Sequence, residues 1–248
     1  MVYGGGGIYG IAYTLGVAHG LSAAGVPVEQ APALGTSAGS WTAAILATGH
    51  SYADVDALET PPLPTRRYGV LAGLARELLG DAGSPRVTVS AVCVAERRRH
   101  LLSGAQHALA DLIAASSAVP ALLPAHRVGG RLYVDGGLSS MTSLDAAPPA
   151  RHTIVVAPLS GVVLGPIGRS QGVRLERELR SWEHRHPGRR VTLVRPTRSI
   201  AAVVGAAPWA LFDAARARAV YPLAFGQGLR AGQLLLADRR GLTTAAAA

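Results

Sequence analysis

The stretch Gly35-Thr36-Ser37-Ala38-Gly39 constrains this chain more than any other. It reads G-x-S-x-G, and its flanks supply the setting that the pattern requires. Ala31-Pro32-Ala33-Leu34 before it is short and apolar, as the end of a buried strand is. Ser40 to Thr48 after it is rich in Ala, Ile and Leu and reads as a helix. A sharp strand-to-helix turn holds its central residue in strained backbone, and side chains at the neighbouring positions would clash; hence Gly35 and Gly39. The helix presents its positive N-terminal end to Ser37, where negative charge builds up during acyl transfer. Five residues are a weak signal in a chain with 30 glycines, so the rest of the sequence has to supply the partners.

A length of 248 residues fits one α/β domain, or at most two small ones. We expect it to span residues 1–242, with a flexible tail over 243–248 that ends in four alanines. Hydrophobic residues make up 49% and charged ones 16%, enough for a sizeable core and too little charge for disorder. No apolar run reaches the roughly 18 residues of a membrane span. No basic segment followed by an apolar stretch and a cleavage site opens the chain, so no secretory signal is expected. A single cysteine, Cys93, excludes an internal disulfide and points to a reduced, cytoplasmic setting.

All 24 basic residues are arginines, and asparagine is absent. That excludes a lysine Schiff base, a P-loop lysine, a Ser-Lys dyad and N-glycosylation. A formal charge of +9 favours anionic surfaces. No basic tract interleaved with aromatics is present, so nucleic acid is not an expected partner; peripheral contact with an anionic membrane stays open beside the plainer reading of coding bias toward arginine with ordinary solvation. The eight histidines are scattered without ligand spacing, so neither a metal nor a cofactor is expected.

Two further stretches join the first. Met1-Val2-Tyr3 reads as a short strand, followed by Gly4-Gly5-Gly6-Gly7-Ile8-Tyr9-Gly10 and then a helix over residues 11–24, with Ile11, Leu15, Ala18 and Leu21 on one face. A glycine loop between strand and helix leaves backbone N–H groups free to face an anion. That anion is either a dinucleotide pyrophosphate or the oxyanion of a tetrahedral intermediate. The dinucleotide lacks its acid after a second strand, since Glu29 precedes that strand. Plain packing by small residues is the third option. Later, Arg131-Leu132-Tyr133-Val134 reads as a strand that ends at Asp135-Gly136-Gly137. An acid at a strand end is where an open α/β sheet places chemistry, and it is also where a turn carboxylate caps backbone N–H groups.

Between these stretches, residues 49–85 change character. Pro61, Pro62 and Pro64 stiffen an irregular segment, and Leu71, Leu74 and Leu78 mark an amphipathic helix over 69–79. This is either a mobile cover over a site or an exposed connector. Further strands are expected over 86–95, near 100–102, over 153–158 and over 191–195, with helices over 106–118, 173–186 and 208–229. The alternation predicts a three-layer α/β/α sandwich with a mostly parallel central sheet.

The glycine loop, the elbow serine and the Asp-Gly-Gly, in that order, resemble the patatin-like phospholipases. Ala115-Ser116-Ser117-Ala118-Val119-Pro120 is similar to the Ala-Ser-x-Ala-x-Pro stretch that precedes the aspartate in many members. The resemblance implies a serine lipid acyl hydrolase acting on a lipid or acyl ester. It implies a Ser37–Asp135 dyad, an oxyanion hole in Gly5, Gly6 and Gly7, and supporting roles for Gly10, Gly35, Gly39, Gly136 and Gly137. Two departures stand out. Tyr9 occupies a place where many members carry Arg or Lys, and Leu138-Ser139-Ser140-Met141-Thr142 replaces an Asn and a Pro that often follow the aspartate.

Two other readings stay open. One is an ordinary α/β-hydrolase whose base is His152, His184 or His186, which follow the aspartate in the right order. The other is a non-catalytic basic module that binds lipid or protein on the same fold.

Overall fold

The computed structural model describes the backbone of residues 1–245 and the side chains of residues 1–238. The tail expected over 243–248 falls at and beyond that limit. Eight strands form one sheet: β1 (Val2–Tyr3), β2 (Ala33–Thr36), β3 (Val87–Cys93), β4 (Arg98–Ser103), β5 (His126–Val128), β6 (Arg131–Asp135), β7 (His152–Val156) and β8 (Arg190–Val194). The helices are α1 (Gly7–Ala23), α2 (Ala38–Thr48), α3 (Tyr52–Asp56), α4 (Val70–Leu79), α5 (Leu109–Ser116), α6 (Pro166–Arg185), α7 (Arg198–Val204) and α8 (Ala214–Ala245).

The strands pair in the order β5-β6-β3-β2-β1-β7-β8, with β4 also on β3. The pairs β3–β2, β2–β1, β1–β7 and β7–β8 are parallel, and the three that involve β4, β5 and β6 are antiparallel. The expected mostly parallel α/β sheet is thus borne out. Side-chain alternation divides the core into two layers. Tyr3 and Val156 join a large cluster with α1, α2, α5 and α8, whereas Val2, Leu34 and Val155 join Leu175 and Trp182 of α6 on the other face.

The register of β3 matters most. β4 pairs with it from Thr88 to Cys93 and so takes one whole edge. β2 and β6 therefore share the other edge. β2 occupies it up to Thr36 opposite Ser90, and β6 takes over with Asp135 opposite Ala91. Two strand ends that are distant along the chain meet at adjacent rungs.

Several boundaries differ from the sequence-based expectation. The helix expected from Ile11 begins at Gly7, because the N–H groups of a first turn need no intrahelical partner and glycine is tolerated there. The strand expected to end at Leu34 runs on to Thr36, since β3 offers it two more rungs. The closing helix starts at Ala214 and continues through Pro222. β5 was not expected; Gly129 and Gly130, with φ of 53° and 80°, make the tight turn that pairs it with β6.

Candidate active site

Ser37 stands between β2 and α2 with φ 50° and ψ −118°, a backbone conformation that L-residues rarely adopt. The glycines around it are compelled by close approach. A side-chain carbon at Gly35 would lie 2.4 Å from the Gly39 carbonyl oxygen, and one at Gly39 would lie 1.9 Å from that of Tyr3. Ser116 secures the turn: the Ser37 N–H donates to its Oγ at 2.9 Å, and its hydroxyl donates to the Ser90 carbonyl at 2.7 Å.

Asp135 ends β6 and is buried. Its N–H donates to the Ala118 carbonyl at 3.0 Å. Its Oδ1 accepts the Gly137 N–H at 2.6 Å, which leaves the other carboxylate oxygen available. Burial pushes its pKa up from 3.8 to about 6, against the pull of the Ser37 side chain and the Gly137 N–H. The elbow serine and the strand-end aspartate thus follow or close two strands that meet at adjacent rungs of β3. Gly136 closes the turn against β3, where a side-chain carbon would lie 2.2 Å from the Ser90 carbonyl oxygen.

The glycine loop lies against the elbow. A side-chain carbon at Gly5 would come within 3.2 Å of Ser37 Cβ, and one at Gly10 within 2.9 Å of Ala38 Cβ. The Gly5 N–H is already spent on the Met141 carbonyl at 2.8 Å. Gly5 is therefore a loop anchor and not a free donor. Among the described residues, no hydrogen bond engages the N–H of Gly6, Gly7 or Ala38. All three belong to the N-terminal ends of α1 and α2, so unpaired donors and two helix dipoles converge beside Ser37. Tyr9 takes no part in this: it is buried, and its hydroxyl donates to the Pro158 carbonyl at 3.1 Å.

Sequence reading missed the residues that hold these parts together. Ser143 Oγ lies 3.0 Å from Thr36 Oγ1 and donates to Ser90 Oγ at 2.9 Å. Glu178, on α6, accepts from Ser140 Oγ at 2.6 Å, from Thr142 Oγ1 at 2.9 Å and from the Leu144 N–H at 3.2 Å. It clamps the segment whose Met141 carbonyl anchors Gly5. The one available signal was Ser90, one of two polar residues, with Thr88, in the apolar run of β3; nothing in the sequence points from Glu178 to residues 140–144.

Beside Ser37 opens a cavity of about 130 Å³. Ile8, Ile11 and Trp41, from α1 and α2, line it together with Val55, Leu58, Leu63, Leu71 and Leu74, from residues 52–79. The segment that the sequence left as either cover or connector thus walls the cavity.

The histidine alternative finds no geometric support. His152 opens β7, at the strand end away from Ser37, and contacts Thr192 at 2.8 Å. His184 and His186 close α6, where His186 Nδ1 lies 2.9 Å from the Trp182 carbonyl oxygen. Ligand atoms of Cys93, Glu96 and His100 lie within 4.8 Å of one another, a grouping created by the β3–β4 hairpin that spacing alone did not reveal. Glu96 already pairs with Arg98 at 2.5 Å and Arg131 at 2.6 Å, and these cations oppose a metal ion there. Among the described residues, no helix is long and apolar enough to cross a membrane.

Fold and site together define an α/β protein with an elbow serine. The family model described as patatin-like phospholipase matches residues 63–148, which bears out the resemblance to that family, whose members are in general lipid acyl hydrolases. The match takes in β3, residues 115–120 and Asp135; Ser37 and the glycine loop precede it. Curated proteins yield no match to the chain.

Proposed function

We propose that the protein is a serine hydrolase of fatty acyl esters that works through a Ser37–Asp135 dyad. The observation that carries this reading is the hand-over on β3, with Thr36 opposite Ser90 and Asp135 opposite Ala91. Ser37 attacks the acyl carbonyl while Asp135 takes its proton. Asp135 then returns the proton to the departing alcohol, leaving an acyl-enzyme. In the second half Asp135 takes a proton from water as it attacks the acyl-enzyme, then passes that proton to Ser37 Oγ as the acid departs. A carboxylate is a weak base for an alcohol. The raised pKa of Asp135, about 6, narrows that gap while leaving the group ionised at neutral pH. The N–H groups of Gly6, Gly7 and Ala38 meet the oxyanion as it forms, each such donor being worth about 3 kcal/mol.

The apolar cavity suits the acyl chain. Exposed side chains near its mouth suit a lipid surface: Trp209 is 77% exposed, three residues before the lining residue Phe212, and Arg66 and Arg67 follow Leu63 closely. Tryptophan favours the membrane interface and arginine its anionic face. We therefore extend the proposal to peripheral contact with an anionic membrane from a cytoplasmic setting, without a cofactor or nucleic acid.

The test is a panel of esters of increasing acyl length, run with wild type, Ser37→Ala and Asp135→Asn. Turnover that both variants abolish supports the dyad. Turnover that survives Ser37→Ala overturns it, and no labelling of Ser37 by a fluorophosphonate would favour a non-catalytic binding module.

A further inference from the structure

Ser116 and Ser117 are neighbours in opposite situations. The Ser116 hydroxyl is fully used, between the Ser37 N–H and the Ser90 carbonyl. The Ser117 Oγ is buried and has no hydrogen-bond partner. Ser117 caps the C-terminal end of α5 and lines the same cavity as Ser37. Besides Ser37 itself, the lining carries two other side chains with polar atoms, the indole of Trp41 and the exposed Thr60. Ser117 thus brings a buried, unsatisfied hydroxyl to a largely apolar wall.

Such a group lowers stability, since a buried hydroxyl without a partner forfeits its hydration for nothing. Alanine would fill the position at less cost. A bound molecule that supplies a partner reverses the balance. No protein hydrogen bond holds the Ser117 rotamer, so a turn about χ1 toward the cavity breaks none, and a serine hydroxyl can both donate and accept. Because the Ser37 N–H donates to Ser116, the next residue, Ser117, stands beside the nucleophile in the cavity that both line.

We infer that Ser117 is a substrate-recognition residue, and that the acyl chain it selects carries a hydroxyl or keto oxygen close to the ester carbonyl. This rests on Ser37 being the nucleophile. An oxygenated chain pairs with the hydroxyl; a plain hydrocarbon chain strands it. Sites built to hydrogen-bond a substrate oxygen discriminate strongly against the analogue that lacks it.

The experiment compares p-nitrophenyl butyrate with p-nitrophenyl β-hydroxybutyrate on wild type, Ser117→Ala and Ser37→Ala. Wild type should favour the hydroxylated ester by roughly tenfold or more in kcat/KM. Ser117→Ala should bring that ratio close to one, chiefly through loss on the hydroxylated ester, while its Tm stays equal to or above that of wild type. An unchanged ratio overturns the inference. So does an equal loss on both esters with a lowered Tm, which would make Ser117 a structural residue. Activity that is absent in wild type, or that survives Ser37→Ala, defeats the nucleophile reading instead. Thermal shift with free β-hydroxybutyrate and butyrate then decides separately. The hydroxylated acid should stabilise wild type more than the plain one, and the difference should vanish in Ser117→Ala; equal shifts in wild type overturn the inference.

Discussion

The floor of the site and the wall of its cavity are built in opposite ways. The floor is polar, buried and cross-linked: Thr36, Ser90, Ser116 and Ser143 are joined by hydroxyl hydrogen bonds, and Glu178 clamps the adjoining segment. The wall between α3 and α4 is apolar and tied down sparsely. The Thr65 N–H donates to the Leu122 carbonyl at 2.9 Å, and Arg218 pairs with Asp56 at 2.8 Å. The floor sets reacting atoms by directional bonds, where a small displacement is expensive. The wall sets only a volume, by contacts that tolerate substitution. Changes to the floor should therefore alter how fast an ester reacts, and changes to the wall which ester reacts.

The largest separation should come from the dyad. Ser37→Ala and Asp135→Asn should each lower kcat by roughly a thousandfold or more on every ester that wild type accepts. Steady-state assays over the panel check this, and a loss confined to long chains would break the distinction. Next is Gly39→Ala, whose new carbon would lie 1.9 Å from the Tyr3 carbonyl oxygen, a backbone atom with no room to retreat. It should cost more than about 4 kcal/mol, visible as loss of folded protein in solution.

Asp135 also gives the floor a pH signature. Turnover should rise through about pH 6 as the carboxylate ionises. Its folded pKa is raised above 3.8, so the stability it confers is complete below 3.8 and lost as pH rises through about 6. Asp135→Asn should thus be more stable than wild type above pH 6, by an amount on the order of 2–3 kcal/mol, and the gap should close in acid. Thermal melts across that range test it; equal melting points at neutral pH would mean that the carboxylate carries no burial cost.

Smaller effects sharpen the contrast. Ser116→Ala leaves the Ser37 N–H and the Ser90 carbonyl without their partner, and should cost about 1–3 kcal/mol of stability together with a drop in kcat. Leu58→Ala or Leu63→Ala should change kcat only a few-fold on short esters, while moving the preferred acyl length upward by a carbon or two. An ester panel showing the reverse, with length preference moved by Ser116→Ala and rate by Leu63→Ala, would dissolve the distinction between floor and wall.

What the sequence disclosed follows the same division. Gly35, Gly39 and Gly136 were legible because close backbone approach leaves one residue type. Ser37 and Asp135 were legible because their surroundings repeat a family pattern. The β5–β6 hairpin went unread although Gly129-Gly130 announced it, because three residues of strand carry too little periodicity. The role of Glu178 was invisible for a different reason. Its partners lie 34 to 38 positions away along the chain, and only the packing of α6 brings them together. Gly5 marks the limit of motif reading. Its place beside Ser37 was foreseeable, whereas the bond that consumes its N–H depends on where Met141 falls.

The shared edge of β3 has a consequence for how the protein comes to work. One strand serves as the ruler for two residues separated by most of a hundred positions, and the two marks are consecutive. Deleting either residue of that junction, Ser90 or Ala91, would shift one ladder against the other and turn the alternating side chains to the opposite face. A sheet that lacks any one of β2, β3 and β6 cannot bring the two strand ends together. On the proposed function, competence to cleave an ester would then arrive with the pairing of these three strands and not before.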